Sequence, residues 1–563
     1  MAARYPVHLA VACHGLWGQP AHIAYIKESI ARHAARPSAP RSRGPRDRSP
    51  ERREDVKVVV LVPETNAASF AHTYDGVDVC ADRVVEEIDA EIRRIEHEGG
   101  KVERFSIVGY SLGGLVARYV LGILESRTPS FFEDVRPVNF ATFASPAIGI
   151  PQYKTFWSST FRFLGSRLLS RTGNQLYERD RFLPEHFNPA AKEEQKPRKG
   201  LGKYLPRPRG AAEPLLKIMA DPRYSFYRAL SRFERIEIFA NTVNDRTVPF
   251  PTGGIEAHDP FALARAKAQK LAKSRGDDPD AEVDIRDGGL EITLQDNAPI
   301  ITSYRQVPPP PMPTGCVPAK RRFRLRLPLL LRPTTYPFSR PVSLLVIAFL
   351  PIALPLSVCY LVGRFMLQGR ESRRRIRDAR KRLGGGREGM LQRVGVQIGE
   401  VAELASVDNP EYAGGLSVEG TDAAFSSGTR EDSETTHLGP QRTYGSASGT
   451  STPALARPVS PPSLSPSRTP SPPPASAASS LEQLAPTAGA AHDGARHATD
   501  PVLSSSQLFQ LQNLNALPQL RKHLVYLPQA RNSHGAIVRR DPNFAGHRAG
   551  KKVVDYWASE FRV

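Results

Sequence analysis

Along the first 150 residues, apolar positions alternate between two spacings. Val7–Cys13 is a run of strand length, and Val56–Val62 (VKVVVLV) is almost continuous in β-branched residues, as strands buried on both faces are. Ala21–His33 and Cys80–His97 instead place apolar residues at helical spacing with charges on the opposite side. Phe105–Val108 predicts a third strand, Leu112–Leu124 a helix entered directly from it, and Val138–Phe143 a fourth strand. Arg235–Ala240 and His523–Leu527 are again strand-like, and Ala549–Phe561 is helix-like. Strands and helices alternating at this density predict an α/β fold, a mostly parallel sheet flanked by helices.

The stretches between them follow other rules. Residues 36–55 are polar and proline-bearing, which predicts a mobile loop, and 151–231 mixes short helical patterns with aromatics, as a cap would. After Pro308 the globular pattern stops. Residues 309–390 hold an apolar run flanked on both sides by arginines, its core at 342–362, and 391–506 is Ser/Pro-rich and predicted to be disordered. Residues 1–308 and 507–563 are therefore expected to be two parts of one α/β domain.

Composition sharpens this only in places. A net charge of +20 and 51 prolines suit basic linkers better than nucleic-acid recognition, because the basic residues gather around the apolar run and no DNA- or RNA-binding motif is present. Attraction to anionic lipid is the better expectation. Four scattered cysteines without a CxxC pair predict a reducing compartment. The N-terminal residues read as a strand and not as a signal peptide, so secretion is not expected.

The densest chemical signal is Gly109–Tyr110–Ser111–Leu112–Gly113, a GxSxG between a strand and a helix. There the serine can occupy a sharp turn, and Gly109 and Gly113 let strand and helix approach closely. The amide of Leu112 would stabilise an oxyanion. The first strand ends in His14–Gly15–Leu16–Trp17–Gly18, a loop placed to supply a second donor, assigned to Leu16 next to Gly15. Asp245 follows the Arg235–Ala240 strand and suits the acid that orients an imidazole. Among late histidines, His534 lies in a loop (NSHGAIV), whereas His523 begins a strand and His547 adjoins the last helix. Ser111, Asp245 and His534 are thus the expected catalytic set. No clustered metal ligands are visible, and no cofactor is expected.

HGLWG, VGYSLGG, NTVNDRTVPF, NSHGAIV and TYDGVDVCADRVVEEI resemble the serine esterase family of lipase-like α/β-hydrolases, particularly its fungal members. The resemblance covers about residues 5–260 and 520–560. It implies acyl-ester hydrolysis on glycerolipids or phospholipids at lipid droplets or internal membranes. It also implies the same three residues as a triad. One departure is Ala147 in Phe143–Ala147, where many such lipases carry histidine after the proline; this bears on local packing or substrate contacts. An acyltransferase would use the same residues, and a silent membrane scaffold is the alternative of another class.

The triad order constrains SLLVIAFLPIALPLSVCYLV (Ser343–Val362). Twenty uncharged residues can span a bilayer, but Ser111 and Asp245 precede this stretch and His534 follows it. No second long apolar run returns the chain, and Pro351 and Pro355 fall near its middle. The expectation is a hairpin or kinked interfacial helix entering one leaflet from the cytosolic face of the endoplasmic reticulum or a lipid droplet. Protein partners are not indicated.

Overall fold

The computed structural model describes residues 4–35, 56–67, 72–182, 213–275, 284–308, 340–383 and 499–563. The loop at 36–55, the cap residues 183–212, the basic run 309–339 and the Ser/Pro-rich stretch up to 498 lie outside the described residues.

Eight strands form one sheet: β1 Tyr5–Cys13, β2 Lys57–Leu61, β3 Gly100–Tyr110, β4 Arg136–Phe143, β5 Arg235–Asn241, β6 Leu290–Gln295, β7 Ala298–Gln306 and β8 Leu520–Val525. Their order is β2-β1-β3-β4-β5-β8-β7-β6. The first six positions are parallel, while β7 runs antiparallel to β8 and β6 antiparallel to β7. This is a mostly parallel α/β sheet with an antiparallel edge. β6 and β7 carry no apolar run that announces them, because they are an edge hairpin whose exposed side is polar.

Helices cover both faces. On one side lie α1 (Ala24–Ala34) and the C-terminal helix Gly550–Ser559; on the other lie α2 (Val77–His97) and α3 (Leu112–Ser126). In α2 the buried Val77, Cys80, Ala81, Val84, Val85 and Ile88 recur at helical spacing and face the sheet. α3 is buried from Leu112 to Glu125 because it packs in the middle of its layer. The Trp557 ring is fully buried and stands edge-on to Phe143 at 5.5 Å, with Phe143 stacked on Phe239 at 4.6 Å. Parallel register aligns Cys13 with Gly109 and Tyr110 with Phe143. The loops after β1, β3, β4, β5 and β8 therefore leave from one edge, where ligands gather in such sheets.

The cap-like region contributes α4 (Phe156–Leu168) and α5 (Ser170–Leu176), and α6 (Pro260–Arg275) follows β5. The apolar run belongs to α7 (Arg340–Leu383), one continuous helix that contains Pro351 and Pro355. The hairpin expectation is corrected by this. Each proline removes one backbone donor, but both lie among residues good enough at propagating a helix to carry it through. The disorder expected up to residue 506 does not hold for its last residues: Val502 pairs with Gln152, and Ser504 caps α8 (Ser505–Asn515) by accepting from the Gln507 amide. The last helix, Gly550–Ser559, is α9.

Candidate active site

Ser111 stands between β3 and α3 with φ 56° and ψ −125°, a left-handed conformation that costs a non-glycine residue about 1–3 kcal/mol. Its amide donates to the Phe143 carbonyl (2.9 Å), and its carbonyl accepts from Gly114 (3.0 Å). The flanking glycines make this turn possible. A Cβ on Gly109 would lie 2.4 Å from the Gly113 carbonyl, and one on Gly113 would lie 2.2 Å from the Cys13 oxygen. Both obstacles are backbone atoms that cannot rotate away.

His534 Nε2 lies 3.0 Å from Ser111 Oγ, and its Nδ1 lies 3.1 Å from Asp245 Oδ2. All three side chains are buried. His534 is not in an open loop, as expected from the sequence, but in a one-turn helix, Ser533–Ala536. Asn532 accepts from the His534 amide at its start. The Tyr110 hydroxyl donates to the His534 carbonyl at 3.0 Å, and its ring tilts against the imidazole.

Asp245 is held from several sides. Its Oδ1 accepts from the Thr247 and Val248 amides and its Oδ2 from Asn241 Nδ2. Burial alone would raise its pKa, but His534 and these donors outweigh burial and hold the carboxyl below the usual aspartate value. Tyr110, Asn241 and Asn532 escaped the sequence reading. Only Asn532 had a signal, an N-cap residue ahead of a short helical pattern.

The other late histidines are otherwise engaged. His523 lies 3.3 Å from the Glu237 carboxylate and stacks on Phe239, while His547 Nδ1 accepts from the Asp541 amide.

The loop after β1 presses on the serine. A Cβ on Gly15 would meet Ser111 Cβ at 2.7 Å. The Gly15 carbonyl accepts from the Gly18 amide (2.9 Å) and lies 3.0 Å from His14 Nδ1. In a trans peptide the following N–H points away from that carbonyl, so fixing the Gly15 oxygen also fixes the direction of the Leu16 amide. Leu112, the first residue of α3, has an N–H with no partner within the helix. His14 itself is buried, which pushes its pKa below the usual histidine value despite the opposing hydrogen bond to Gly15. Ala147 is buried, and its carbonyl accepts from Arg118 at 2.7 Å. No group of metal-ligating side chains occurs among the described residues.

A serine on a strand-to-helix elbow, at the carboxyl edge of a mostly parallel sheet, defines the class as an α/β fold with the architecture of a serine hydrolase. Residues 3–259 match the family described as Putative serine esterase (DUF676). That match includes Ser111 and Asp245 and ends before His534. The chain is similar to a Schizosaccharomyces pombe protein named Putative lipase C4A8.10, 25% identical over 305 residues, which cover 53% of this chain and 31% of that protein. It is also similar to two Saccharomyces cerevisiae proteins. Putative lipase ROG1 is 27% identical over 249 residues (44% and 28% of the two chains). Putative lipase YDR444W is 28% identical over 195 residues (32% and 24%). The chain thus matches less than a third of the length of each of these relatives.

Proposed function

We propose that this protein is a serine-dependent hydrolase of acyl esters in glycerolipids or phospholipids, working at a lipid surface. The observation that carries the reading is the hydrogen-bonded series Asp245–His534–Ser111 ending on a strained elbow. His534 Nε2 takes the Ser111 proton as Oγ attacks the ester carbonyl. The Leu16 and Leu112 amides stabilise the oxyanion, and Asp245 orients the imidazole and stabilises its charged form. Collapse breaks the ester bond, His534 returns the proton to the leaving alcohol, and water activated by the same imidazole releases the fatty acid and frees Ser111.

The lipid-surface part rests on α7. Leu345, Phe349, Ile352, Leu354, Leu356 and Leu361 are all exposed, an apolar surface far beyond what a solvated helix shows. By length and composition the helix could cross a bilayer, but its second half is packed on the protein. The chain enters α7 from β7 of the sheet and leaves it against the same domain. One-sided insertion into the cytosolic leaflet of an internal membrane, or into a droplet monolayer, satisfies both facts. The exposed Arg370, Arg373, Arg374 and Arg377 suit anionic head groups beside it.

Purified protein assayed on neutral glycerides and phospholipids, beside Ser111→Ala, tests the proposal. Fatty-acid release is expected from at least one lipid class and absent in the variant. A Ser111→Ala chain that hydrolyses lipid at the wild-type rate would overturn it.

A further inference from the structure

The long helix has two halves of different character. From Leu345 to Leu361 its described side chains are exposed or half-buried. Beyond Gly363, the buried and half-buried positions are Phe365, Gln368, Gly369, Ser372, Arg375 and Ile376, while the residues between them are exposed. Those six recur at spacings of three and four, which is one face of an α-helix. The second half of α7 is thus docked on the protein and the first half is not.

The docked face meets the loops that border the serine. The Phe365 ring lies 6.3 Å from that of Trp17 and 6.5 Å from that of Tyr74. Trp17 follows Leu16 directly and has a left-handed φ of 53°. Its amide donates to Thr73 Oγ1 (3.3 Å) and its indole N–H to the Tyr74 hydroxyl (2.7 Å). One residue on, the wholly buried Asp75 takes two hydrogen bonds from Arg375, Nη2 to Oδ1 at 2.8 Å and Nε to Oδ2 at 3.2 Å. Arg83 of α2 binds the same carboxylate at 2.5 Å. Between these anchors Gly369 faces α5, where a Cβ would lie in ordinary contact, 4.0 Å from Ser170.

A ring contact and a buried ion pair, roughly 15 Å apart along the helix, fix α7 against segment Thr73–Asp75 and, through it, the turn His14–Gly18. We propose that this face is a clamp, with Phe365 and Arg375 as positioning residues that hold the Leu16 amide in register with Ser111. The helix whose free half meets lipid then also sets the geometry of the oxyanion site. This rests on the ester-hydrolase reading above. A plain tether would also join helix and domain, but it would leave the chemistry on a soluble substrate untouched.

The test uses the full chain and a short-chain, water-soluble nitrophenyl ester, which needs no membrane. Phe365→Ala and Arg375→Gln are expected to lower kcat about tenfold or more with KM within twofold. Phe365→Tyr, which keeps the ring, is expected to stay within twofold of wild type. Flotation with phosphatidylcholine–phosphatidylserine vesicles is expected to be unchanged in all three. Arg375→Gln leaves Arg83 on Asp75, so it keeps the buried carboxylate paired and decides the matter if Phe365→Ala loses its thermal unfolding transition. Wild-type kcat on the soluble ester in both Phe365→Ala and Arg375→Gln would overturn the clamp alone. A wild-type chain inert toward soluble and lipid esters alike would overturn the hydrolase reading and the clamp with it.

Discussion

Asp245 and His534 are 289 positions apart in the chain and 3.1 Å apart in space. That contact places the carboxylate on the imidazole nitrogen opposite the one facing Ser111. Asp245→Asn preserves the shape and removes the charge, and its amide can turn an N–H toward the ring and favour the wrong tautomer. We expect kcat to fall by about three to four orders of magnitude with KM little changed. Because the Asp245 carboxyl is held below the usual range, it contributes no ionisation to the wild-type rate profile above about pH 5. Steady-state kinetics on a soluble ester decide this, and an Asp245→Asn enzyme within tenfold of wild type would remove the residue from the mechanism.

The strained elbow sets stability against activity. Ser111→Gly is expected to abolish hydrolysis and to make the fold more stable by about 1 kcal/mol, since glycine accepts φ 56° without a Cβ clash. Ser111→Ala abolishes hydrolysis but keeps the strain, so its denaturation midpoint should match wild type. Equal midpoints for the glycine and alanine variants would contradict the idea that strain is stored at this residue.

Asp82 offers a test by pH. Both of its carboxyl oxygens are buried and unpartnered among the described residues. Burial, reinforced by Asp78 and Glu86, pushes its pKa well above the usual aspartate value. The folded chain therefore retains a proton that the unfolded chain has lost. Stability is greatest below the ordinary carboxylate range, about pH 4, and declines as pH rises through the folded value. Asp82→Asn should be about 1–2 kcal/mol more stable than wild type at pH 8 and no more stable at pH 4. Thermal melts across that window show whether the two curves converge at acid pH; parallel curves would mean that Asp82 is ionised in the fold.

Trp557 sits in the same core as Ala536, Ile537 and Val538, the residues that follow His534. Trp557→Ala opens a cavity behind the histidine turn and should cost about 3–5 kcal/mol. Hydrogen exchange at 534–538 should quicken more than in β3. Uniform quickening across the sheet would show that the tryptophan supports the fold as a whole and not this turn.

Much of this architecture is legible in the sequence because its signals are local. Val56–Val62 and Phe105–Val108 are apolar enough to be central strands, and the GxSxG pattern has its strand and helix immediately on either side. What stayed hidden depends on distance. The Tyr110 contact to the His534 backbone exists only once β3 and β8 share one sheet, whereas the Asn241 contact to Asp245 is local but depends on the turn after β5. The β6–β7 hairpin is half polar, so its alternation resembles that of a loop. In α7 the two prolines suggested a break, whereas the helix continues through them. Its docked face was illegible for another reason: arginine-rich segments read as solvated, and nothing local marks Arg375 as the one that finds a buried aspartate.

The place of β8 between β5 and β7 has a bearing on how the protein comes into being. At about ten residues per second, the ribosome needs roughly half a minute to pass from Asn241 to Leu520. Throughout that interval β5 has an open edge, β7 has no inner neighbour, and the serine has no histidine. The apolar helix is made within the same interval. Under the function proposed above, a nascent chain meets lipid while still chemically inert and is armed only when residues 507–563 join the sheet.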